Sequence, residues 1–296
     1  MQGPPPEVEG VAHRYVEVSG VRMHVAEAGE GAPVVLLHGW PQHWWIWRKV
    51  IPELASERRV ICPDLRGFGW SDAPPGRYEL QGFADDTLAL LDELGLEQVD
   101  LIGHDWGGYA GFLLCLDAPE RIRHYLALGV SHPWFEPPPP TPRTAMRISY
   151  QLILATPGLG TRVLHHLPAF VKLVLRRGAH PSMRWSEEEL ACYAESFRSP
   201  DHALASSHVY RSFLTRELRR LRRGEHRSKR NSVPTLLVCG EADPVARGAV
   251  IEGYEPYADE MSVEIVERCG HFVAEERPDV VIARARELFG PGGATA

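Results

Sequence analysis

Leu101-Ile102-Gly103-His104-Asp105-Trp106-Gly107-Gly108 decides the fold of this 296-residue chain. Val99-Asp100-Leu101-Ile102 reads as a short strand, and Tyr109-Ala110-Gly111-Phe112-Leu113-Leu114 as a helix start. Gly103 and Gly107 flank Asp105 at two positions on either side. This is the pattern of a nucleophile elbow, a sharp strand-to-helix turn that lifts one side chain above a sheet. The turn strains its central residue and needs neighbours without bulk. The usual central residue is serine; here it is Asp105. A carboxylate is poorly suited to acyl transfer. It suits attack on a saturated carbon bearing a leaving group, which gives an alkyl ester that water can hydrolyse. Taken alone, Asp105 reads equally well as a helix N-cap, so the rest of the chain must decide.

Upstream, residues 13–18 and 21–27 alternate apolar and polar around Gly20, which predicts an antiparallel hairpin. Pro33-Val34-Val35-Leu36-Leu37 and Val60-Ile61-Cys62-Pro63 are continuous apolar runs, as expected of strands buried on both faces of a parallel sheet. The spacing predicts helices over 43–55 and 80–95, and a further strand at Tyr125-Leu126-Ala127-Leu128-Gly129-Val130. Strands alternating with helices imply an α/β fold with a mostly parallel central sheet flanked by helices.

At Pro133 the alternation stops. Pro137-Pro138-Pro139-Pro140 and Pro142 read as a stiff hinge, and from about 144 to 225 the pattern is helical throughout. Strand patterns resume at 234–239 and 262–266, and a last helix is expected at 278–289. The organisation expected is a core of 1–132 with 233–296, interrupted by a helical lid at 133–232. Such an insert sits over the carboxyl ends of the strands, where α/β sheets place their ligands. Its arginine-dense part, 211–230, reads as a solvated helix face or a local acidic contact.

Each resumed strand ends in a candidate partner for Asp105. Gly240-Glu241-Ala242-Asp243-Pro244 follows the first, and Cys269-Gly270-His271-Phe272 the second. The order nucleophile, acid, histidine is that of the α/β-hydrolase arrangement. His271 supplies a base near neutral pH, and Asp243 orients it; Glu241 is the local competitor for the acid role. His38-Gly39-Trp40-Pro41 closes an earlier strand, so His38, Gly39 and Pro41 form the loop that presents one oxyanion-hole amide, from Trp40. Trp106, directly after the nucleophile, supplies the other.

The composition limits the alternatives. Net charge is −7, with 44% hydrophobic residues, so no overall basic character suggests nucleic acid or an anionic membrane. Five cysteines show neither metal spacing nor a disulfide framework, which suits a reducing cytoplasm. No signal peptide and no bilayer-spanning run are expected.

Gly103-His104-Asp105-Trp106-Gly107-Gly108 together with His38-Gly39-Trp40-Pro41 resembles the epoxide hydrolases of α/β-hydrolase fold. Asp64-Leu65-Arg66-Gly67-Phe68-Gly69-Trp70-Ser71 is similar to the wider superfamily. The resemblance runs from about residue 15 to 290. It implies two lid tyrosines that hydrogen-bond the epoxide oxygen and protonate the opening alkoxide. Ser149-Tyr150-Gln151-Leu152 resembles the first tyrosine motif and Val209-Tyr210-Arg211 the second, with Tyr193 a weaker rival. Two phenols with a pKa of about 10 stay protonated at pH 7 and stabilise the developing charge. The implied reaction hydrates a small apolar epoxide to a vicinal diol without cofactor or metal. A homodimer is left open. The rivals are a haloalkane dehalogenase on the same scaffold and a non-catalytic ligand-binding protein. Trp40 stands where dehalogenases often carry asparagine, and Trp106 where a fluoroacetate dehalogenase would carry arginine.

Overall fold

A computed structural model describes residues 3–76, 78–137 and 149–290. Among these, eight strands form one sheet in the order β1-β2-β4-β3-β5-β6-β7-β8. The strands are β1 (Ala12–Val18), β2 (Val21–Ala28), β3 (Pro33–Leu37), β4 (Arg59–Pro63), β5 (Val99–His104), β6 (Ile122–Leu128), β7 (Thr235–Gly240) and β8 (Met261–Val266). β1 and β2 form the expected hairpin, and β2 meets β4 antiparallel. From β4 to β8 every neighbouring pair is parallel.

The apolar runs divide by their period of two. Val35, Leu37, Leu101 and Ala127 join one buried cluster with α2 (Leu80–Glu93) and α3 (Asp105–Asp117). Val34, Leu36, Ile102 and Leu126 join the other, with α1 (Ile51–Ala55) and, near the C-terminus, Val281 and Ala285. Successive side chains leave a strand on opposite faces, so helices on both sides require the continuous apolar run that the sequence shows. Each fully buried valine or leucine of β3 stabilises the fold by about 1.5–3 kcal/mol.

Between β6 and β7 the described residues contain α4 (Ser149–Ala155), α5 (Leu159–His166), α6 (Pro168–Gly178), α7 (Glu187–Glu195), α8 (Pro200–Ser212), a π-helical turn at Phe213–Glu217 and α9 (Leu218–Arg222), and no strand. The proline hinge from Pro138 onward lies outside the described residues. Leu154, Leu164, Leu175, Tyr193 and Tyr210 of this insertion join the α2–α3 cluster. After β8 come α10 (Val273–Glu276) and α11 (Pro278–Phe289). No helix among the described residues is long and apolar enough to cross a membrane.

Two expectations need correction or completion. The helix predicted over 43–55 is instead a 3-10 turn at Trp44–Trp47 followed by the short α1. Pro52 is the cause: it lacks an N–H, and its ring excludes a preceding helical turn. The arginine-dense segment fits both of its readings. Arg216 and Arg220 pair with Glu79, while Arg219, Arg222 and Arg223 are exposed.

Candidate active site

Asp105 opens α3 with φ +51°, a left-handed conformation that a non-glycine residue adopts only under constraint. The neighbours make it feasible. A Cβ on Gly107 would lie 2.4 Å from His38 O, and one on Gly39 would lie 2.3 Å from Asp105 Cβ. Both glycines therefore let the β3 loop and the elbow touch. Gly107 N–H donates to His38 O (3.1 Å), and Trp40 N–H donates to Asp105 Oδ2 (2.9 Å). The Trp40–Pro41 bond is cis. His38 is fully buried; its Nδ1 bonds Gly39 O (3.1 Å), and Leu65 N–H donates to its Nε2 (3.0 Å). The Trp106 amide lies in the first turn of α3, where N–H groups have no intrahelical acceptor.

His271 follows β8, and its Nδ1 lies 3.0 Å from Asp243 Oδ2. Its Nε2 lies 3.7 Å from Asp105 Oδ1, beyond a direct hydrogen bond. Asp243 is wholly buried, and its Oδ1 accepts from the backbone N–H groups of Val245 (2.6 Å) and Ala246 (3.0 Å). Burial pushes this carboxyl up, but His271 and the two amides outweigh it and hold it below the usual carboxylate range. Burial also opposes charge on His271. Asp243 and Asp105 more than offset that, and the imidazole is pushed up to about 10. The base titrating near neutrality that the sequence suggests thus does not describe the free site, because two carboxylates flank the ring. Glu241 is turned away: it is exposed and accepts from Arg268 N–H (2.7 Å).

Asp105, His271, Tyr150 and Tyr210 line one cavity of about 720 Å³, with Trp40, Pro41, Phe170, Val174 and Phe272 among the walls. Tyr150 comes from α4 and Tyr210 from α8; their rings meet edge to face at 5.9 Å. Trp40 stacks on Tyr150 at 6.1 Å and meets the edge of Tyr210 at 5.2 Å, and Trp106 packs on Tyr210 at 5.5 Å. Burial pushes Tyr150 up to about 12, and holds Tyr210 well above the ordinary phenol value. Both phenols are therefore protonated donors at neutral pH. Tyr193 lies elsewhere: its hydroxyl donates to Glu275 and accepts from Arg48 (3.3 Å), away from the cavity.

Sequence reasoning missed three supports. Asp64, wholly buried, accepts from Trp44 N–H (2.7 Å), Trp70 N–H (2.9 Å) and His24 Nδ1 (2.8 Å), which fixes the turn after Trp40-Pro41. Burial raises its pKa, but His24 and the nearby histidines outweigh this and hold it down at about 2. Glu276 accepts from the N–H groups of His180 (2.7 Å), Gly270 (2.9 Å) and Phe272 (3.0 Å), and so clamps the loop that carries His271. His104, beside Asp105, bonds His271 O through Nε2 (2.9 Å). Burial keeps it neutral, its pKa pushed down to about 4. No group of three or more His, Cys, Asp or Glu among the described residues could hold a metal ion, and the five cysteines are free.

Residues 32–278 match the family described as alpha/beta hydrolase fold. The chain is 31% identical to the soluble epoxide hydrolase of Corynebacterium sp. (strain C12), over 95% of this chain and 98% of that one. It is also 31% identical to epoxide hydrolase 4 of Homo sapiens, over 91% of this chain and 76% of the relative. Among solved structures it superimposes on the epoxide hydrolase CorEH without ligand with a TM-score of 0.86 at 30% identity, covering 94% of this chain and 98% of that one. Fold and site thus define an α/β-hydrolase-fold enzyme, a hydrolase. Within that fold, the chain belongs to the epoxide hydrolase family.

Proposed function

We propose that this enzyme adds water to an apolar epoxide, giving a vicinal diol, through an alkyl ester on Asp105. The observation that carries the reading is the shared cavity: a carboxylate and an imidazole on one side, two phenols on the other. The names of the relatives point the same way. Residues 1–132 and 233–296 act as the core, and 133–232 as a lid that brings the phenols. The free cysteines suit a cytoplasmic protein.

The geometry suggests which oxygen does what. Asp105 Oδ2 is held by the Trp40 amide, so Oδ1 is the atom that attacks the ring carbon. The new C–O bond forms as the ring C–O bond breaks, and the alkoxide takes a proton from Tyr150 or Tyr210. Esterification removes the charge of Asp105. One of the two carboxylates that hold the His271 proton is then gone, and the imidazolium returns a proton to the phenolate. Neutral His271 next deprotonates water in the gap beside Oδ1. Hydroxide adds to the ester carbonyl, and the oxyanion on Oδ2 sits against the Trp40 and Trp106 amides. Collapse frees the diol and restores the Asp105 carboxylate and the His271 imidazolium, so the cycle closes without a cofactor.

The test is to trap the ester. The His271→Gln variant is expected to open the ring but to stall. After an acid quench within minutes, intact-mass analysis should show the chain heavier by the whole epoxide, with the addition mapped to Asp105. The Asp105→Ala variant should take up nothing. A haloalkane adduct, short by hydrogen halide, would instead identify a dehalogenase. No adduct with any epoxide that the wild type turns over would refute the covalent route.

A further inference from the structure

Between Ser149 and Ser186 the chain has no Asp or Glu, yet this stretch holds five of its 32 Lys and Arg, in a protein with 39 acidic residues. The same stretch supplies α4, α5 and α6, and α4 and α6 both line the cavity. It also carries exposed leucines: Leu152 (55%), Leu159 (46%), Leu167 (54%) and Leu173 (42%). These are four of the eight large apolar side chains found exposed among the described residues. A fifth, Val245, lines the cavity from the β7 side. Leu173 and Arg177, one turn apart on α6, are both exposed and both line the cavity, so its mouth opens through this face. Lys172 and Arg176 share the single carboxylate of Glu187. Arg162 and Arg177 have no acidic partner within 4 Å among the described residues.

We propose that this cationic, leucine-bearing face docks on an anionic phospholipid surface, with the cavity mouth against the bilayer. Leucines among cations match what an interfacial helix needs: apolar area for the acyl boundary and positive charge for the headgroups. A second copy fits poorly, because a two-fold contact through this face sets arginine against arginine. Nucleic acid would leave the leucines in water. Apolar small molecules concentrate in bilayers, so docking would bring the mouth to its substrate's reservoir. The inference rests on the surface and the cavity mouth, and not on the chemistry proposed for Asp105.

The test is sedimentation of the intact chain with vesicles of phosphatidylcholine alone and of phosphatidylcholine mixed with phosphatidylglycerol. Retention is expected on the mixed vesicles at low salt only, since salt screens such attraction. The variant Arg162→Gln with Leu167→Ser alters two exposed residues outside the cavity wall. It should bind about fiftyfold more weakly, from the loss of roughly fivefold per cation and about tenfold per leucine. Its unfolding midpoint and its turnover of a water-soluble epoxide should match the wild type. The proposal is overturned by no retention on either vesicle, by equal retention on neutral vesicles, or by retention that the double variant preserves. It is also overturned if light scattering finds a dimer that the double variant dissociates, which would assign the face to a second copy. Vesicle binding is read without turnover, so its failure is distinguishable from failure of the epoxide reading.

Discussion

The floor and the roof of the cavity are built by different means. On the floor, backbone groups hold the side chains. Asp105 is fixed by a strained turn and the Trp40 amide, and Asp243 by two amides. On the roof, packing does the holding: Tyr210 sits among the rings of Trp40, Trp106 and Tyr150. Tyr150 is half-buried, and its hydroxyl accepts from the side-chain amide of Gln151 (3.3 Å). The amides that hold Asp105 and Asp243 lie in the loops that follow β3 and β7 and are tied to the sheet through them, whereas helices packed through rings can shift. The difference suggests a floor that sets the chemistry and a roof that adapts to the substrate.

The floor should therefore be the less forgiving half. Asp243→Asn keeps the shape but removes the charge that holds the proton on His271 and the carboxylate that fixes its orientation. Loss of kcat by about 10³–10⁴ is expected, the scale for an orienting acid, with burst kinetics showing that ester hydrolysis, rather than ring opening, has slowed. A loss under tenfold would mean that the two amides and the imidazole do not need Asp243, and the contrast with the roof would fail.

On the roof, Tyr150→Phe and Tyr210→Phe should each slow ester formation by about tenfold to a thousandfold. Each donor acts mainly in the transition state, so kcat should fall more than KM changes. The double variant should lose more than the product of the two single losses, because in each single variant the remaining phenol still serves the oxygen. Wild-type rates in both single variants would argue that the oxygen is not protonated from the roof.

The smallest expected effect is on stability, and it sharpens the account of the floor. The folded-state pKa of His271 is raised to about 10. Its contribution to stability is thus complete below the unfolded value of about 6.5 and lost as pH rises through about 10. The excess in Tm of the wild type over His271→Gln should shrink between pH 7 and 10 in thermal scans. A gap that stays constant or widens over that window would mean that the ring is not held as an imidazolium between its carboxylates.

Much of the floor was legible because its signals are local. The elbow and the apolar runs each occupy a few consecutive residues whose backbone demands are specific, and Asp243 and His271 each follow a resumed strand of the same kind. The sequence favoured Asp243 but left Glu241 as a competitor, because the outcome depends on which carboxylate folds inward, and Glu241 is taken by Arg268. Tyr193 was ambiguous for the same reason: a partner 82 residues away, Glu275, captures its hydroxyl. Glu276 gave no signal, since its role is to collect amides from two separate segments, one of them 96 residues distant. The broken helix at 43–55 was legible in Pro52, but the apolar tryptophans around it outweighed that residue in the periodicity.

The clamp at Glu276 has a consequence for how such proteins diversify. Glu276 ties His180, at the end of the insertion's third described helix, to Gly270 and Phe272, and His271 N–H donates to Gly178 O (2.8 Å). The helical segment is thus spliced to the base by its main chain. Exchanging that segment between relatives to obtain new selectivity is therefore never a transplant of specificity alone. A graft that fails to offer a carbonyl at 178 and an amide at 180 would release the loop that aims the imidazole. The productive crossover point lies after residue 180, where the inherited join stays with the recipient and only the far side of the wall is exchanged.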